Sequence, residues 1–266
     1  MTSNEIPVGP VVDPTPAQLP GPAKLPGRYG TVARLEARSH GASLWEAVRG
    51  HDRIWAYLSY GPFADFKSFS NWLSEREKLK DPYYYVVLDT NDGAVGLMTL
   101  VNIQPAMRSV EVGHILYSPA LQRTALATEA QYLLTRYVFE TLGYRRYEWK
   151  CNALNQPSYR AALRFGFTFE GVFRQHMIVK GRSRDTAWFS MLDSDGPRAK
   201  PPLNAGSRRK ISIGKESRRK NWASPSTATA EQGGPHAHLD HWRCRNDRSE
   251  THWPPGQGRH PPWPSH

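Results

Sequence analysis

Residues 122–130 combine small, polar and basic side chains in a pattern suited to binding an anion. They read QRTALATEA, follow a β-rich run at residues 110–117, and open a long amphipathic run. The first N–H groups of a helix have no acceptor within the helix, so they point together at whatever lies before it. A strand, loop and helix in this order therefore predict a site for phosphate.

A second informative segment is NALNQPSYRAALRFGFTFEG, at residues 152–171. Asn155 is a suitable helix cap, Pro157 suits the first turn, and Gly166 suits the end of the same helix. These residue types predict a short helix followed by a strand. Cap and turn preferences do not explain why this segment follows the first one in this order.

Taken together, the two segments resemble the GNAT acetyltransferases, and within them the RimJ/RimL-like branch. The general pattern of the coenzyme A pyrophosphate loop in that family, Gln/Arg-x-x-Gly-x-Gly/Ala, matches residues 122–127, and Thr-Glu-Ala is the usual continuation in the branch. The downstream segment matches N-x-x-S followed by G-F-x-x-E-G. Ala125 departs from the pattern, because the family usually has glycine there. The resemblance covers roughly residues 30–195.

The resemblance implies an α/β fold, the GNAT fold, with a mixed and mostly antiparallel central sheet and helices on both faces. Hydrophobic periodicity and turn residues predict the same order of elements. The predicted strands are residues 28–37, 83–88, 94–103, 110–117, 145–151, 167–179 and 185–192, and the predicted helices are 43–50, 65–79, 155–165 and one that begins at about residue 124 and ends at Gly143.

Proline and charge are unevenly distributed along the 266 residues. Seven of the 22 prolines precede residue 30 and ten follow residue 196. Residues 196–266 also carry 13 Lys and Arg against 5 Asp and Glu, which is most of the net charge of +11. We therefore predict a single GNAT domain at residues 30–195, between a disordered Pro-rich segment at 1–29 and a disordered basic, Pro/His-rich tail at 196–266.

Cellular location and non-substrate partners follow from composition. The two cysteines, Cys151 and Cys244, predict no disulfide framework and a reducing compartment. We find no signal peptide and no run long enough to cross a bilayer, so we expect a cytoplasmic protein without a membrane partner. Nucleic acid is expected only through the basic tail. His236, His238, His241 and Cys244 match no closed zinc site, so we expect no metal.

By the resemblance, acetyl-CoA is the co-substrate and its pantetheine arm lies along the strand at residues 110–117, pairing with free backbone groups as an added strand would. One backbone N–H there would polarise the thioester carbonyl. The residues expected to bind the coenzyme are Ile115, Leu116, Tyr117, Gln122, Arg123, Thr124, Ala125, Leu126, Ala127, Thr128, Asn155 and Ser158.

Acetyl transfer to an amine requires a group that accepts the amine's proton, because an ammonium has no lone pair. Glu111 is the leading candidate, since it matches a position that is often acidic in GNATs. Regular alternation places Glu111 with Ile115 and Tyr117 on one face of the strand, and His114 on the other. His176 is the second candidate. Near it RimL-like enzymes carry a glutamate, and the matching position here is Met177.

The departing thiolate requires a proton as well. Many GNATs use a tyrosine at the position of Ala162, so we expect Ser158 to supply it, as proposed for RimL-like relatives. The same hydroxyl could instead satisfy the helix start. The aromatic residues Trp55, Tyr57, Tyr60 and Phe63 are expected to wall the acceptor site.

These inferences predict an acetyl-CoA-dependent N-acetyltransferase that moves an acetyl group to a primary amine, on a small molecule or a protein N-terminus, by direct attack on the thioester. A non-catalytic acyl-CoA-binding or interaction module of the same fold is the alternative, favoured by Ala125 and Ala162. The chain could act as a homodimer. Because one fold serves many acceptors, the sequence does not identify the amine.

Overall fold

A computed structural model describes residue 6 and residues 8–195 of the chain. Within these residues the sheet contains eight strands. The strand order is β1-β2-β3-β4-β5-β6-β8-β7. Neighbouring strands are antiparallel except for β5 and β6, which are parallel. The strands are β1 (Lys24–Pro26), β2 (Thr31–Arg34), β3 (Tyr83–Leu88), β4 (Ala94–Gln104), β5 (Ser109–Tyr117), β6 (Arg146–Asn152), β7 (Thr168–Val179) and β8 (Arg182–Leu192).

Four α-helices cover the two faces of the sheet in the described part of the chain. They are α1 (Ala37–Val48), α2 (Phe66–Lys78), α3 (Ala125–Arg136) and α4 (Gln156–Arg164). One core lies under α1 and α2 and includes Leu44, Phe69 and Leu73. The other lies under α3 and α4 and includes Leu134 and Ala162. The predicted mixed, mostly antiparallel sheet with helices on both faces is thereby confirmed.

Three of the helices begin with a side chain that caps a free backbone N–H. Asp65 accepts from the N–H of Ser68 at 2.7 Å at the start of α2. Thr124 accepts from the N–H of Ala127 at 3.1 Å at the start of α3. Asn155 accepts from the N–H of Ser158 at 3.3 Å at the start of α4, as its residue type predicts.

The helix predicted to run to Gly143 ends its α-helical part at Arg136. A π-helical turn, Tyr137–Thr141, continues it. The N–H of Leu142 donates to the carbonyl of Tyr137, five residues back, at 3.0 Å. Gly143 follows with φ of 75°, in the left-handed region that glycine adopts without strain, and so it ends the helix as predicted.

The prediction of a disordered segment through residue 29 is wrong for residues 17–29, which we call the N-terminal strap. Residues 24–26 of the strap form β1, which pairs with β2 at the edge of the sheet. The N–H groups of Arg28 and Tyr29 each donate to the carboxylate of Glu129 on α3, both at 2.7 Å. The prolines limit helix formation here, but they do not prevent an extended chain from pairing at a sheet edge.

Candidate active site

The parallel strands β5 and β6 pair over only part of their length. Pairing runs from Ser109 with Arg146 to Val112 with Trp149, and no further pair joins these two described strands. Beyond that point β5 stays with β4, and β6 stays with β8. The two strands therefore diverge and leave backbone N–H and C=O groups facing a wedge. An extended ligand chain can pair with such groups as an added strand does.

The loop from β5 to α3 brings a helix start to the wedge. Arg123 has φ of 63°, and Thr124, the cap, precedes the first helical residue, Ala125. The N–H groups of Ala125 and Leu126 have no acceptor within the helix, so they are free to bind an anion, as the predicted phosphate site requires. The left-handed conformation falls on Arg123 rather than on Ala125. This explains why alanine can stand where the family usually has glycine.

Gln122 and Thr128 have definite partners around this helix start. The side-chain amide of Gln122 donates to the carbonyl of Tyr117 at 2.9 Å, so it fixes the end of β5. The hydroxyl of Thr128 accepts from Nη1 of Arg164, on α4, at 2.9 Å. Arg164 thus places a cation beside the first turn of α3. Sequence reasoning missed Arg164, because it lies 36 residues from Thr128 and occupies none of the fixed positions of the pattern in residues 152–171.

Glu111 lies on the opposite face of the sheet from α3 and is only 7% exposed. Its Oε2 accepts from the amide of Asn102 at 2.6 Å and lies 2.9 Å from Nζ of Lys150. Lys150 also pairs with Glu148 at 3.0 Å. Burial raises the pKa of Glu111 above its ordinary value, and the ammonium of Lys150 partly offsets this. Oε1 of Glu111 lies beside Gly113, 3.7 Å from where a Cβ on that residue would stand. Gly113 follows Val112, the last residue of β5 that pairs with β6, so Oε1 lies near the point where the strands diverge.

A β-bulge in β5 overturns the predicted alternation of side chains. Thr99 of β4 pairs with Gly113 and Leu97 pairs with Leu116, so two residues of β5 oppose one of β4. His114 takes φ of 47° within this bulge. The extra residue reverses which face later side chains occupy. His114 therefore shares the face of Glu111, while Ile115 and Tyr117 pack with the core under α3 and α4.

His114 was predicted to lie away from Glu111, and the structure instead places it in the wall of the same site. Its ring stacks on Tyr60, with 5.6 Å between centroids, and lies 6.0 Å from the ring of Tyr84. Burial lowers the pKa of His114, and the guanidinium groups of Arg76 and Arg184 lower it further. The imidazole is therefore neutral near pH 7, and the same burial and charges make it a weaker base than a histidine in water.

The four aromatic residues predicted to wall the acceptor site have different positions. Tyr60 is half-buried beside His114, and Phe63 is half-buried against Trp55. Trp55 is only 2% exposed, so it supports the wall from behind instead of lining it. Tyr57 is 41% exposed and its hydroxyl donates to the carbonyl of Leu154 at 3.3 Å, next to the start of α4.

Ser158 lies near the wedge on the face of α4. Its Oγ accepts from the indole N–H of Trp149 at 3.1 Å. Trp149 belongs to the last pair of β5 with β6, so this hydroxyl lies close to the point of divergence. Ser158 and Glu111 consequently approach the wedge from opposite faces of the sheet. The side chain of Asn155 caps α4, so Asn155 affects the wedge by fixing the start of that helix.

His176 lies farther from the wedge. It is exposed on the edge strand β7, where its Nδ1 lies 3.0 Å from the hydroxyl of Thr186. The ring of Trp188 stands between His176 and Lys150, 5.9 Å from the imidazole centroid and 3.7 Å from Nζ of Lys150. The two predicted proton acceptors, Glu111 and His176, are therefore not in contact.

Several predicted features lie outside the described residues. These are the basic tail, Cys244 and the three tail histidines His236, His238 and His241. Within residues 8–195, no group of three or more His, Cys, Asp or Glu side chains could hold a metal ion. No helix in that part of the chain is long and apolar enough to cross a membrane.

Comparisons with known proteins agree with this geometry. Residues 35–168 match the family model for the acetyltransferase (GNAT) domain. A GCN5-related N-acetyltransferase from Brucella melitensis is 46% identical, with a TM-score of 0.67 over 69% of this chain and 84% of that one. A GNAT-family protein from Chromobacterium violaceum is 42% identical, with a TM-score of 0.67 over 73% of this chain and 98% of that one. No curated protein gave a significant match.

A more distant structure shares the fold alone. It is that of a candidate ribosomal-protein-serine acetyltransferase from Vibrio cholerae, 18% identical, with a TM-score of 0.56 over 64% of this chain and 97% of that one.

The fold and the family model that it matches define the class of protein, an acetyltransferase, and the acetyltransferases of this class use acetyl-CoA. The chain belongs to the GNAT family within that class, and it is accordingly a transferase.

Proposed function

We propose that the protein is an acetyl-CoA-dependent N-acetyltransferase of the RimJ/RimL-like branch, which moves an acetyl group to a primary amine by direct attack on the thioester. The observation that carries this proposal is the wedge between β5 and β6, with the start of α3 at one end and Glu111 beside it. The acceptor is a small molecule or a protein N-terminus. The motif in residues 152–171 supports the branch.

In this proposal the coenzyme lies between α3 and α4. Its pyrophosphate meets the N–H groups of Ala125 and Leu126, with Arg164 as a nearby cation. Its arm pairs with the free edge of β5 around Ile115 and Leu116. These residues fit the ligand, because they supply an anion site and an unpaired strand edge in one continuous path.

Glu111 is proposed as the group that takes the proton of the amine, directly or through water. Lys150 and Asn102 hold its Oε2, so Oε1 remains available on the side of the wedge. A raised pKa brings a carboxylate closer to the range in which it is an effective general base. His114 is a second proton acceptor on the same face, and Ser158 is proposed to protonate the thiolate from the other face.

Thermal unfolding with and without acetyl-CoA tests coenzyme binding. A ligand at a hundredfold its Kd should raise the free energy of unfolding by about 2.7 kcal/mol. No shift at millimolar acetyl-CoA would overturn the proposal. Release of free coenzyme A with a panel of primary amines tests transfer. A clear thermal shift without turnover of any amine would instead indicate the non-catalytic acyl-CoA-binding module.

A further inference from the structure

Four N–H donors around the acceptor side of the wedge have no hydrogen-bond partner among the described residues. They are buried atoms of half-buried side chains on α2 and β8. The four are Nε1 of Trp72, Nε of Arg76, Nε of Arg184 and Nε1 of Trp188. A buried donor without an acceptor costs free energy, so such groups are rare unless a ligand, an ion or an ordered water completes them.

The two arginines flank the candidate active site. The guanidinium of Arg76 lies 6.0 Å from the ring of Trp72, which packs 4.7 Å from the ring of Tyr60. Tyr60 in turn stacks on His114. Arg184 lies on β8, close enough to Glu111 for that carboxylate to act on its charge. The charges of both guanidinium groups also lower the pKa of His114, Arg76 from α2 and Arg184 from β8.

Neither arginine has a carboxylate partner within the described residues. Glu75, next to Arg76 in sequence, pairs with Lys78 at 2.7 Å, and Glu77 accepts from the N–H of Ala37. Glu111 is within the influence of Arg184, yet its ion pair is with Lys150. No ion pair joins Arg184 to Glu111 among the described residues, and Oε2 of Glu111 is already held by Lys150 and Asn102.

We propose that the acceptor carries a carboxylate near its amine, and that Arg76 and Arg184 bind this carboxylate while the amine faces Glu111. The proposal rests on the proposed acetyl transfer. Arginine is suited to the task, because its fork of N–H donors matches the two oxygens of a carboxylate. Two guanidinium groups beside His114 would also repel a second ammonium, so the site selects against polyamines.

This chemistry has two sources, a free amino acid and a peptide with an acidic residue near its N-terminus. Matched pairs distinguish them: aspartate against asparagine, glycine against glycinamide, and a hexapeptide beginning Ser-Asp against one beginning Ser-Asn. Spermidine is the polyamine arm. For each compound we would measure kcat and KM from the release of coenzyme A, and binding by calorimetry to the chain saturated with coenzyme A.

In at least one matched pair, the compound with the carboxylate should have a kcat/KM and an affinity about 10-fold to 100-fold higher than its neutral partner. That ratio corresponds to the free energy of a hydrogen bond to a charged group. R76Q and R184Q should each raise the KM of that compound about tenfold or more and remove the preference. R184K, which keeps the charge, should retain part of it. R49Q is the matched control, because Arg49 is exposed and pairs with Glu46 on α1.

The result that would overturn the proposal is equal kcat/KM and affinity within every pair, a preference for spermidine, or no binding of any compound in the panel. These outcomes are separate from failure of the proposed function. The thermal shift with acetyl-CoA should persist in R76Q and R184Q, and its absence in the unaltered protein would count against coenzyme binding itself.

Discussion

At the scale of single residues, the carboxylate of Glu111 is held on one oxygen and free on the other. We predict that E111Q lowers kcat by about 100-fold to 10,000-fold, the usual contribution of a general base. The pH profile should change as well. A general base must be deprotonated to act, so in the proposed mechanism kcat of the unaltered protein should rise with pH through a pKa above the ordinary glutamate value. This acidic limb should be missing in E111Q.

The matched control for Glu111 is E148Q. Glu148 shares Lys150 with Glu111, but it points towards Arg146, which it contacts at 2.7 Å. In either variant Lys150 keeps one carboxylate partner, so neither leaves a buried charge unpaired. Equal losses of kcat in E111Q and E148Q, with unchanged pH profiles, would show that Glu111 only supports the structure.

The burial of His114 should make the free energy of unfolding depend on pH. Its pKa is lowered in the folded state, so the unfolded chain binds more protons near and below pH 6.5. The free energy of unfolding should therefore fall as pH drops from 7.5 to 5.5, and H114Q should show a smaller fall. Urea unfolding at both pH values measures this. H51Q, at an exposed histidine, serves as the control, and an unchanged slope in H114Q would contradict the burial of His114.

At the scale of elements, the cap of α3 is predicted to serve both folding and coenzyme binding. T124A should cost about 1 kcal/mol of unfolding free energy and weaken acetyl-CoA binding, because the helix start loses its fixed position. D65A removes the equivalent cap of α2 and should cost a similar amount without affecting the Kd. Equal Kd values for acetyl-CoA in the unaltered protein, T124A and D65A would show that Thr124 does not contribute to the anion site.

The contact of α3 with the N-terminal strap is a second prediction about elements. Glu129 is 6% exposed and accepts two backbone N–H groups of the strap. E129A should therefore lower the free energy of unfolding by about 3 kcal/mol or more, since hydrogen bonds to a charged group contribute about 1.5 to 3 kcal/mol each. E140A is the control, because Glu140 is exposed and pairs with Arg136 four residues earlier on the surface. A loss below about 0.5 kcal/mol in E129A would show that the strap does not depend on this carboxylate.

Much of the architecture could be predicted from local sequence. Residues 83–88 show little alternation of apolar and polar side chains, but they are rich in β-branched and aromatic residues. They form β3 over the predicted range. The first helix was placed too late, at residues 43–50 instead of Ala37–Val48. Its first turns bury Ala37 and Gly41, small residues that contribute little to a hydrophobic pattern.

The features of the candidate site that the sequence did not predict depend on contacts between segments far apart in the chain. The β-bulge at His114 follows from how β5 pairs with β4, and no local motif marks it. Lys150 reaches Glu111 because the two strands are parallel neighbours, although 39 positions separate them. The motif at residues 122–130 predicts the start of α3 after β5, since a helix start is a local structure. Motifs do not show which charges the tertiary fold brings to the acceptor.

At the scale of the whole molecule, the N-terminal strap runs along α3 in the opposite direction. Gln18 bonds Leu142, Gly21 bonds the hydroxyl of Tyr137, and Arg28 bonds Glu129. About a hundred residues separate the partners, for example 116 between Gly21 and Tyr137. Contacts of such long sequence separation form late, because the loop must close first.

During synthesis, the strap must therefore leave the ribosome long before α3 exists. Until then it has no helix to dock on, and its backbone N–H groups face water. Hydrogen exchange at the amides of Arg28 and Tyr29 would report this docking step in the finished protein. Their exchange should follow the opening of α3, which ties the N-terminal strap to the helix that begins the proposed coenzyme site.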